Sequence, residues 1–176
     1  MTSFFAALTG LSTAARYLIV LFVSMVPLIE LRGAIPIAAV MGLTDSVQHT
    51  VMVFITAIIG NMIPVPFIYL FARKVLEWGK DKPVIGGFFR FCLEKGEKGG
   101  RKLQEKAGRG LFVALALFVG IPLPGTGAWT GTLAASILGM KFRETVIAAM
   151  AGVLLAGIIM MTLSLAGVSA FGVIAG

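Results

Sequence analysis

Charged residues are scarce in this chain. Only 13% of its 176 residues are Asp, Glu, Lys or Arg, about half the share in an ordinary soluble domain. By contrast, 58% of the residues are hydrophobic and the mean hydropathy is +0.98. These proportions exclude an ordinary soluble globule and predict an integral membrane protein.

Cysteine and histidine occur once each, as Cys92 and His49. One thiol cannot form an internal disulfide, and one imidazole cannot build a metal site alone. The sequence also lacks a Gly-x-Ser-x-Gly nucleophile motif, a Gly-Lys-Ser/Thr phosphate loop and a second carboxylate near Glu30. We therefore expect no metal, no cofactor and no catalytic residue, so an enzyme is the least favoured class. No basic residue precedes the apolar part of the N-terminus, which argues against a cleaved signal peptide.

The charges that are present cluster in one segment. Residues 73–109 hold 16 of the 23 charged residues, 11 of them basic. Because this segment lies between apolar stretches, we interpret it as a cytoplasmic connector that follows the positive-inside rule, and not as a nucleic-acid-binding region. Its apolar part, residues 84–93, is too short to span and is expected to lie along the interface with Trp78 as an anchor.

Four apolar regions predict the membrane segments. Residues 50–72 and 146–169 are each long enough to cross the hydrocarbon core as one helix. Residues 17–43 and 111–140 are long enough in total, but each is interrupted. The first break, Glu30-Leu31-Arg32-Gly33, is flanked by Pro27 and Pro36, and the second covers residues 122–131. Proline and glycine disfavour a regular helix there, so each region is predicted to form two half-helices.

The two halves share their spacing. Pro27, Gly42 and Gly60 are followed by Pro124, Gly139 and Gly157, each 97 positions later. We interpret this as an internal repeat within a single membrane domain, 1–176: repeat one at 16–72, the connector at 73–109 and repeat two at 110–169.

The predicted fold is an all-α membrane protein in which each repeat is a re-entrant helical hairpin plus a spanning helix. If the hairpins turn back, the repeats are inverted and Arg16 is the one basic residue outside; if they cross, Lys141 and Arg143 are exported instead. Counting Lys and Arg favours the re-entrant arrangement. Residues 170–176 have no assigned role.

Glu30 and Arg32 are the strongest functional candidates, because ionisable groups at membrane depth are costly and are kept for transport, proton transfer or a structural ion pair. Glu30 is a candidate for exchanging a proton or attracting a cation, and Arg32 for holding an anionic group such as phosphate. A helix starting after Gly33 would direct its amides to the same place. The alternative is that the two side chains pair with each other and hold the turn.

The second break carries no charge but offers hydroxyls, an indole and exposed glycine backbone. Tight backbone packing at Gly127 and Gly131 is an equal alternative there. Asn61 lies within a spanning helix and is more typical of a hydrogen bond across helices than of a substrate contact. The candidate substrate and coupling residues are Glu30, Arg32, Pro36, Asn61, Pro122, Pro124, Gly125, Thr126, Gly127, Trp129 and Thr130.

Three motifs resemble those of the small multidrug export protein family of bacteria and archaea. They are Glu30-Leu-Arg-Gly-Ala-Ile-Pro36, then Gly60-Asn61 with Pro64 and Pro66, and Gly120-Ile-Pro-Leu-Pro-Gly-Thr-Gly-Ala-Trp-Thr-Gly131. The resemblance covers residues 15–165 and implies export without defining a substrate.

The plan is more distantly similar to that of the DedA (VTT-domain) superfamily, in which two facing re-entrant segments are thought to move lipid phosphates such as undecaprenyl phosphate. That similarity implies roles for Glu30 and Pro36, and for Gly60-Asn61 with Tyr69 and Arg73. The second break departs from the pattern, since DedA proteins carry arginines there.

The sequence thus predicts a small transporter of the cytoplasmic membrane of a bacterium or archaeon. It would cross the membrane more than once, contact membrane lipids and form a homodimer, because two crossings hardly enclose two broken segments. We expect an amphipathic substrate to bind between the two breaks and to be moved out of the cell, with a proton or cation step at Glu30. The alternatives are a DedA-like translocase of an anionic lipid phosphate and a non-transporting scaffold that docks partners through the basic connector.

Overall fold

The computed structural model describes residues 10–83, 86–87, 90–91, 94, 110–123 and 125–175, with the backbone alone for Arg73, Leu76 and residues 168–175. Within these ranges the chain is helical and contains no β-strand, as predicted. The main helices are α1 (Thr13–Met25), α2 (Glu30–Val40), α3 (Val47–Met62), α4 (Pro64–Gly79), α5 (Gly110–Gly120), α6 (Ala128–Ile137) and α7 (Phe142–Ala175).

Two stretches are long and apolar enough to cross a membrane, Val47–Gly79 and Phe142–Gly167. They confirm that the segments 50–72 and 146–169 are long apolar helices. The first stretch joins α3 to α4 at Ile63, whose N–H still donates to the carbonyl oxygen of Ile59 (3.0 Å). Pro64 and Pro66 have no N–H, so the helical hydrogen-bond ladder is interrupted at this junction, and proline is tolerated because it opens the first turn of α4.

The chain divides into two compact units. The first unit contains α1, α2, α3 and α7 from Val153 onward. Here α1 packs against both α2 and α3. The packed faces are apolar and buried, with Val20 of α1, Ile35 of α2 and Val53 of α3 fully covered.

The second unit contains α4, α5, α6 and α7 up to Gly152. Its α4 packs against α6, and α5 contacts α6. The Tyr69 hydroxyl of α4 donates to the carbonyl oxygen of Met140 (2.5 Å), and the Ser136 hydroxyl of α6 lies 3.3 Å from the carbonyl oxygen of Tyr69. These two hydrogen bonds at Tyr69 therefore link α4 to α6 and to the turn that follows α6.

The first break lies one turn earlier than predicted. Helix α1 ends at Met25 and α2 begins at Glu30, so the irregular residues are 26–29, and Glu30 to Gly33 are helical. The backbone of Val26 is extended (ψ 130°), as expected for a residue before proline. The N–H of Gly33 donates to the carbonyl oxygen of Ile29 (3.0 Å), so the helical hydrogen-bond pattern continues through this glycine.

Two further parts of the prediction are corrected in the same way. Pro36 lies inside α2 instead of flanking a break, and it supplies no N–H to the carbonyl of Arg32. The second break ends at Gly127, so Ala128 to Gly131 form the first turn of α6. In the first half, the helix predicted to start after Gly33 is α2, which begins three residues before Gly33, at Glu30.

The backbone repeats its irregular features 97 positions apart. Gly42 after α2 has φ +73° and Gly139 after α6 has φ +70°. Each is followed by the same capping bond: the N–H of Leu43 donates to the carbonyl of Ala38 and that of Met140 to Ala135, both at 3.0 Å. Such a bond closes a helix end, and glycine allows it because it adopts positive φ without strain.

Candidate functional site

Glu30 is a buried carboxylate held in an unusual backbone conformation. Its exposed fraction is 3%, and its φ is +53°. Leu28, two residues earlier, has φ +69°. Left-handed backbone costs a residue other than glycine about 1–3 kcal/mol and persists only where the surroundings enforce it. Backbone strain therefore lies at Leu28 in the first break and at Glu30, the leading functional candidate, where α2 begins.

The second break has positive φ at the two corresponding positions, but glycine occupies both. Gly125 has φ +81° and Gly127 has φ +147°, 97 positions after Leu28 and Glu30. Positive φ thus falls on two glycines in the second break and on leucine and glutamate at the corresponding positions of the first half. Glutamate therefore occupies a position at which glycine would adopt positive φ with less backbone strain.

We expect Leu28→Gly to raise the free energy of unfolding by about 1 kcal/mol, because glycine relieves the left-handed strain. Leu28 is 80% exposed, so its side chain contributes little packing. The measurement is denaturant unfolding of purified protein in detergent micelles, followed by circular dichroism.

The control for Leu28→Gly is Ile29→Gly, at a residue with an ordinary φ of −81°. It should lower stability by at least about 0.5–1 kcal/mol, the usual effect of glycine at a position without positive φ, because Ile29 is 41% exposed and its side chain also contributes packing. Equal destabilisation by both variants would show that Leu28 is not strained.

Arg32 is half-buried in the same first turn of α2 and lies within electrostatic reach of the Glu30 carboxylate. The partial positive charge at a helix N-terminus also favours a carboxylate in the first turn. The interaction agrees with the structural alternative, in which the two side chains hold each other. A paired cation and anion is also what a site for an amphipathic substrate requires.

Asn61 adds a polar group to the first unit. Its side chain is 1% exposed, and its Oδ1 atom accepts no hydrogen bond from the described residues. The hydrogen bond across helices that was predicted for this amide is therefore not made through Oδ1. A buried acceptor without a donor costs about 1–3 kcal/mol, which marks Asn61 as a candidate for contact with a bound molecule.

Sequence reasoning missed two similar groups. The Tyr17 hydroxyl and the Thr132 hydroxyl are buried and have no hydrogen-bond partner within the described ranges. Near Tyr17, the Nδ1 atom of His49 lies 2.8 Å from the Oδ1 atom of Asp45, and this bond lowers the pKa of the Asp45 carboxyl. A single Tyr or Thr in an apolar run carries no periodicity or motif, so only the tertiary packing identifies these groups.

The hydroxyls of Thr126 and Thr130 form contacts with backbone carbonyl oxygens of the second break. The Thr126 hydroxyl is within hydrogen-bond distance of the carbonyl oxygens of Ile121 (3.0 Å) and Leu123 (2.9 Å). The Thr130 hydroxyl lies 3.5 Å from the carbonyl oxygen of Gly127. These contacts stabilise the turn into α6, and a ligand would meet the threonine oxygens as acceptors.

Glycine packing explains the end of this break. A Cβ atom on Gly131 would lie 2.7 Å from a methyl of Val119 and 3.0 Å from one of Leu115, so this glycine lets α6 approach α5. Next to it, Leu115 and Ala135 help to line an apolar cavity of about 210 Å³ within the second unit. The packing alternative is thus supported for Gly131, whereas Gly127 serves the turn through its positive φ.

The candidate residues divide between the units. The first unit contains Glu30, Arg32, Pro36 and Asn61. The second unit contains Pro122, Gly125, Thr126, Gly127, Trp129 and Thr130. Pro122 and Trp129 are half-buried. Pro124 lies outside the described residues, as do Cys92, the side chain of Arg73 and residues 95–109 of the connector.

Side-chain contacts at the start of the connector involve Lys82 and Arg90. The Nζ atom of Lys82 lies 4.3 Å from the centre of the Trp78 ring, and the Nε atom of Arg90 donates to the carbonyl oxygen of Lys80 (2.9 Å). Trp78 itself is 60% exposed. An exposed indole beside a lysine is typical of a membrane–water interface.

Comparison with known proteins defines the family. No curated protein and no solved structure matches this chain significantly. A family model does match, over residues 30–159, a range that includes α2, α3, α4, the second break and α7 as far as residue 159. The chain therefore belongs to the family described as "putative small multi-drug export protein".

Proposed function

We propose that this protein is a small exporter that moves an amphipathic molecule across the cytoplasmic membrane of a bacterium or archaeon. The observation that carries the proposal is Glu30, a buried carboxylate held at positive φ where α2 begins after the first break, within electrostatic reach of Arg32. Membrane proteins keep ionisable groups at such depth chiefly for substrate or ion pathways. The proposal needs no catalytic residue, metal or cofactor.

The helix lengths support re-entrant hairpins. Helix α1 has 13 residues and α2 has 11, so they measure about 20 Å and 16 Å and neither crosses a hydrocarbon core of about 30 Å. Because α1 packs along α2 instead of only meeting it at the break, the pair favours a turn back towards the side of entry. In the second unit, the contact of Gly131 with Leu115 and Val119 favours the same arrangement for α5 and α6.

Two related halves follow from the recurrence of these features. The bounds of α1 and α2, the positive-φ positions and the capping glycines all recur about 97 positions later. In this arrangement α3 with α4 and α7 cross the membrane, and the basic connector lies in the cytoplasm. A homodimer would shield the broken segments from lipid.

In the proposed mechanism, Glu30 binds the positive charge of the substrate or exchanges a proton for it. Arg32 compensates the carboxylate when the substrate is absent and contacts an anionic group when one is present. Asn61, whose Oδ1 atom has no donor within the described part of the chain, accepts a hydrogen bond from the bound molecule. Each of these roles uses a side chain of the first unit.

Glu30→Gln should lower the flux of a lipophilic cation at least tenfold and remove its dependence on pH, because the amide cannot ionise. The measurement is ethidium transport by protein in liposomes with an imposed pH gradient. The matched control is Glu77→Gln, at an exposed residue near the end of α4, which should transport as the wild type does. Unchanged flux and pH dependence in Glu30→Gln would refute the role of Glu30.

Arg32 favours a second candidate, translocation of an anionic lipid phosphate, because it is half-buried at the N-terminal end of α2. Thermal shifts distinguish the candidates, since a ligand that prefers the folded state stabilises it. Stabilisation by undecaprenyl phosphate that is lost in Arg32→Gln would favour the lipid phosphate. Stabilisation by ethidium that is lost in Glu30→Gln would favour the exported cation, and no shift with either ligand would favour a scaffold.

A further inference from the structure

A groove on the second unit has an apolar wall, an indole and one cation. It is lined by Phe67, Ile68, Leu70, Phe71 and Lys74 of α4 and by Trp129 of α6, with a volume of about 460 Å³. We propose that this groove binds an anionic phospholipid, with an acyl chain along the phenylalanines and the phosphate at Lys74. The proposal goes beyond export and uses no residue of the first break.

The lining residues form a continuous track along α4. Phe67, Phe71 and Lys74 are spaced by four and three residues, so they share one face of the helix and extend about 10 Å along its axis. The phenylalanines are 70% and 69% exposed. Among the described residues that line the groove, Lys74 alone is charged. An apolar track that ends in one cation matches the chemistry of a lipid with an anionic headgroup.

The surroundings of Lys74 place this end of the track at the headgroup level. Trp78 follows one turn later on the same face, and its ring carries the Lys82 ammonium at 4.3 Å. Tryptophan and lysine are typical of the membrane–water interface, and lysines near it attract anionic lipids. The acyl chain would therefore run from Lys74 towards Phe67, into the hydrocarbon.

The local charge is mixed but has a basic excess. Glu77 and Asp81 are on the same segment as Lys74, Lys80 and Lys82, and Arg73 adds a further positive charge. Glu77 already has an interaction partner. Because acidic and basic side chains are interspersed on this segment, its charge favours binding of a single phosphate at Lys74 over nonspecific attraction of the whole segment to an anionic surface.

The two tryptophans of the chain make a direct test possible, because Trp129 lines the groove and Trp78 is the only other one. Trp78→Phe protein leaves Trp129 as the sole fluorophore. It is reconstituted in phosphatidylcholine vesicles containing either brominated phosphatidylglycerol or brominated phosphatidylcholine, and the bromine quenching of Trp129 is compared. We expect the anionic lipid to bind at least threefold more strongly at Trp129 than the zwitterionic one.

Lys74→Gln in the same background should bring this ratio close to one. The matched control is Lys141→Gln, at an exposed lysine of the same unit, which should keep the preference. Equal binding of both lipids by the starting protein, or an equal loss in both lysine variants, would overturn the proposal. Absence of quenching by either lipid would also overturn it, because protein would then cover the groove.

Discussion

Gly60→Ala is expected to lower the free energy of unfolding by about 2–3 kcal/mol, through overpacking between α1 and α3. A Cβ atom on Gly60 would lie 2.4 Å from the carbonyl oxygen of Leu21 and 2.9 Å from the Cβ atom of Ser24. Neither is the free end of a flexible side chain, so the helices themselves must separate. The buried contact of α1 with α3 would weaken, and with it the support for the first break.

The matched control for Gly60→Ala is Gly167→Ala in α7. No atom lies within 4 Å of the Cβ position of Gly167, so alanine meets no obstacle there. Alanine in a helix is favoured over glycine by up to about 1 kcal/mol, so this variant should be as stable as the wild type or more so. Denaturant unfolding in detergent measures both variants. If Gly60→Ala unfolds at the same denaturant concentration as Gly167→Ala, the close approach of α1 to α3 is wrong.

Thr132→Val should raise the free energy of unfolding by about 1–2 kcal/mol. Thr132 in α6 is fully buried, and its hydroxyl has no hydrogen-bond partner among the described residues. Valine has the same branched shape without the hydroxyl, so the substitution removes an uncompensated desolvation cost and leaves the packing intact.

Thr145→Val is the matched control, because Thr145 in α7 is equally buried and its hydroxyl donates to the carbonyl oxygen of Lys141 (3.1 Å). Losing this bond should cost about 1 kcal/mol, so the two identical substitutions should change stability in opposite directions. Parallel destabilisation would mean that the Thr132 hydroxyl has a partner in the protein. A Thr132→Val protein that is more stable but exports less would assign this hydroxyl to the transported molecule.

Much of the helical organisation followed from composition and spacing. The two long apolar helices, the two interrupted regions and the 97-residue spacing are properties of the residue order, because hydrophobic run length and the positions of proline and glycine act locally. The export family could likewise be identified from local motifs. The exact ends of the breaks could not, because Gly33 and Pro36 both disfavour helix locally, yet packing keeps α2 helical through them.

For the candidate site, the sequence by itself singled out Glu30, because a carboxylate within an apolar, membrane-spanning stretch is energetically costly and therefore rare. Only the tertiary structure decided that Leu28 and Glu30 adopt positive φ, as Gly125 and Gly127 do in the second break. Only it revealed that buried oxygens of Asn61, Tyr17 and Thr132 lack a hydrogen-bond partner among the described residues. Burial, strain and hydrogen-bond satisfaction depend on residues distant in the chain, and no local pattern encodes them.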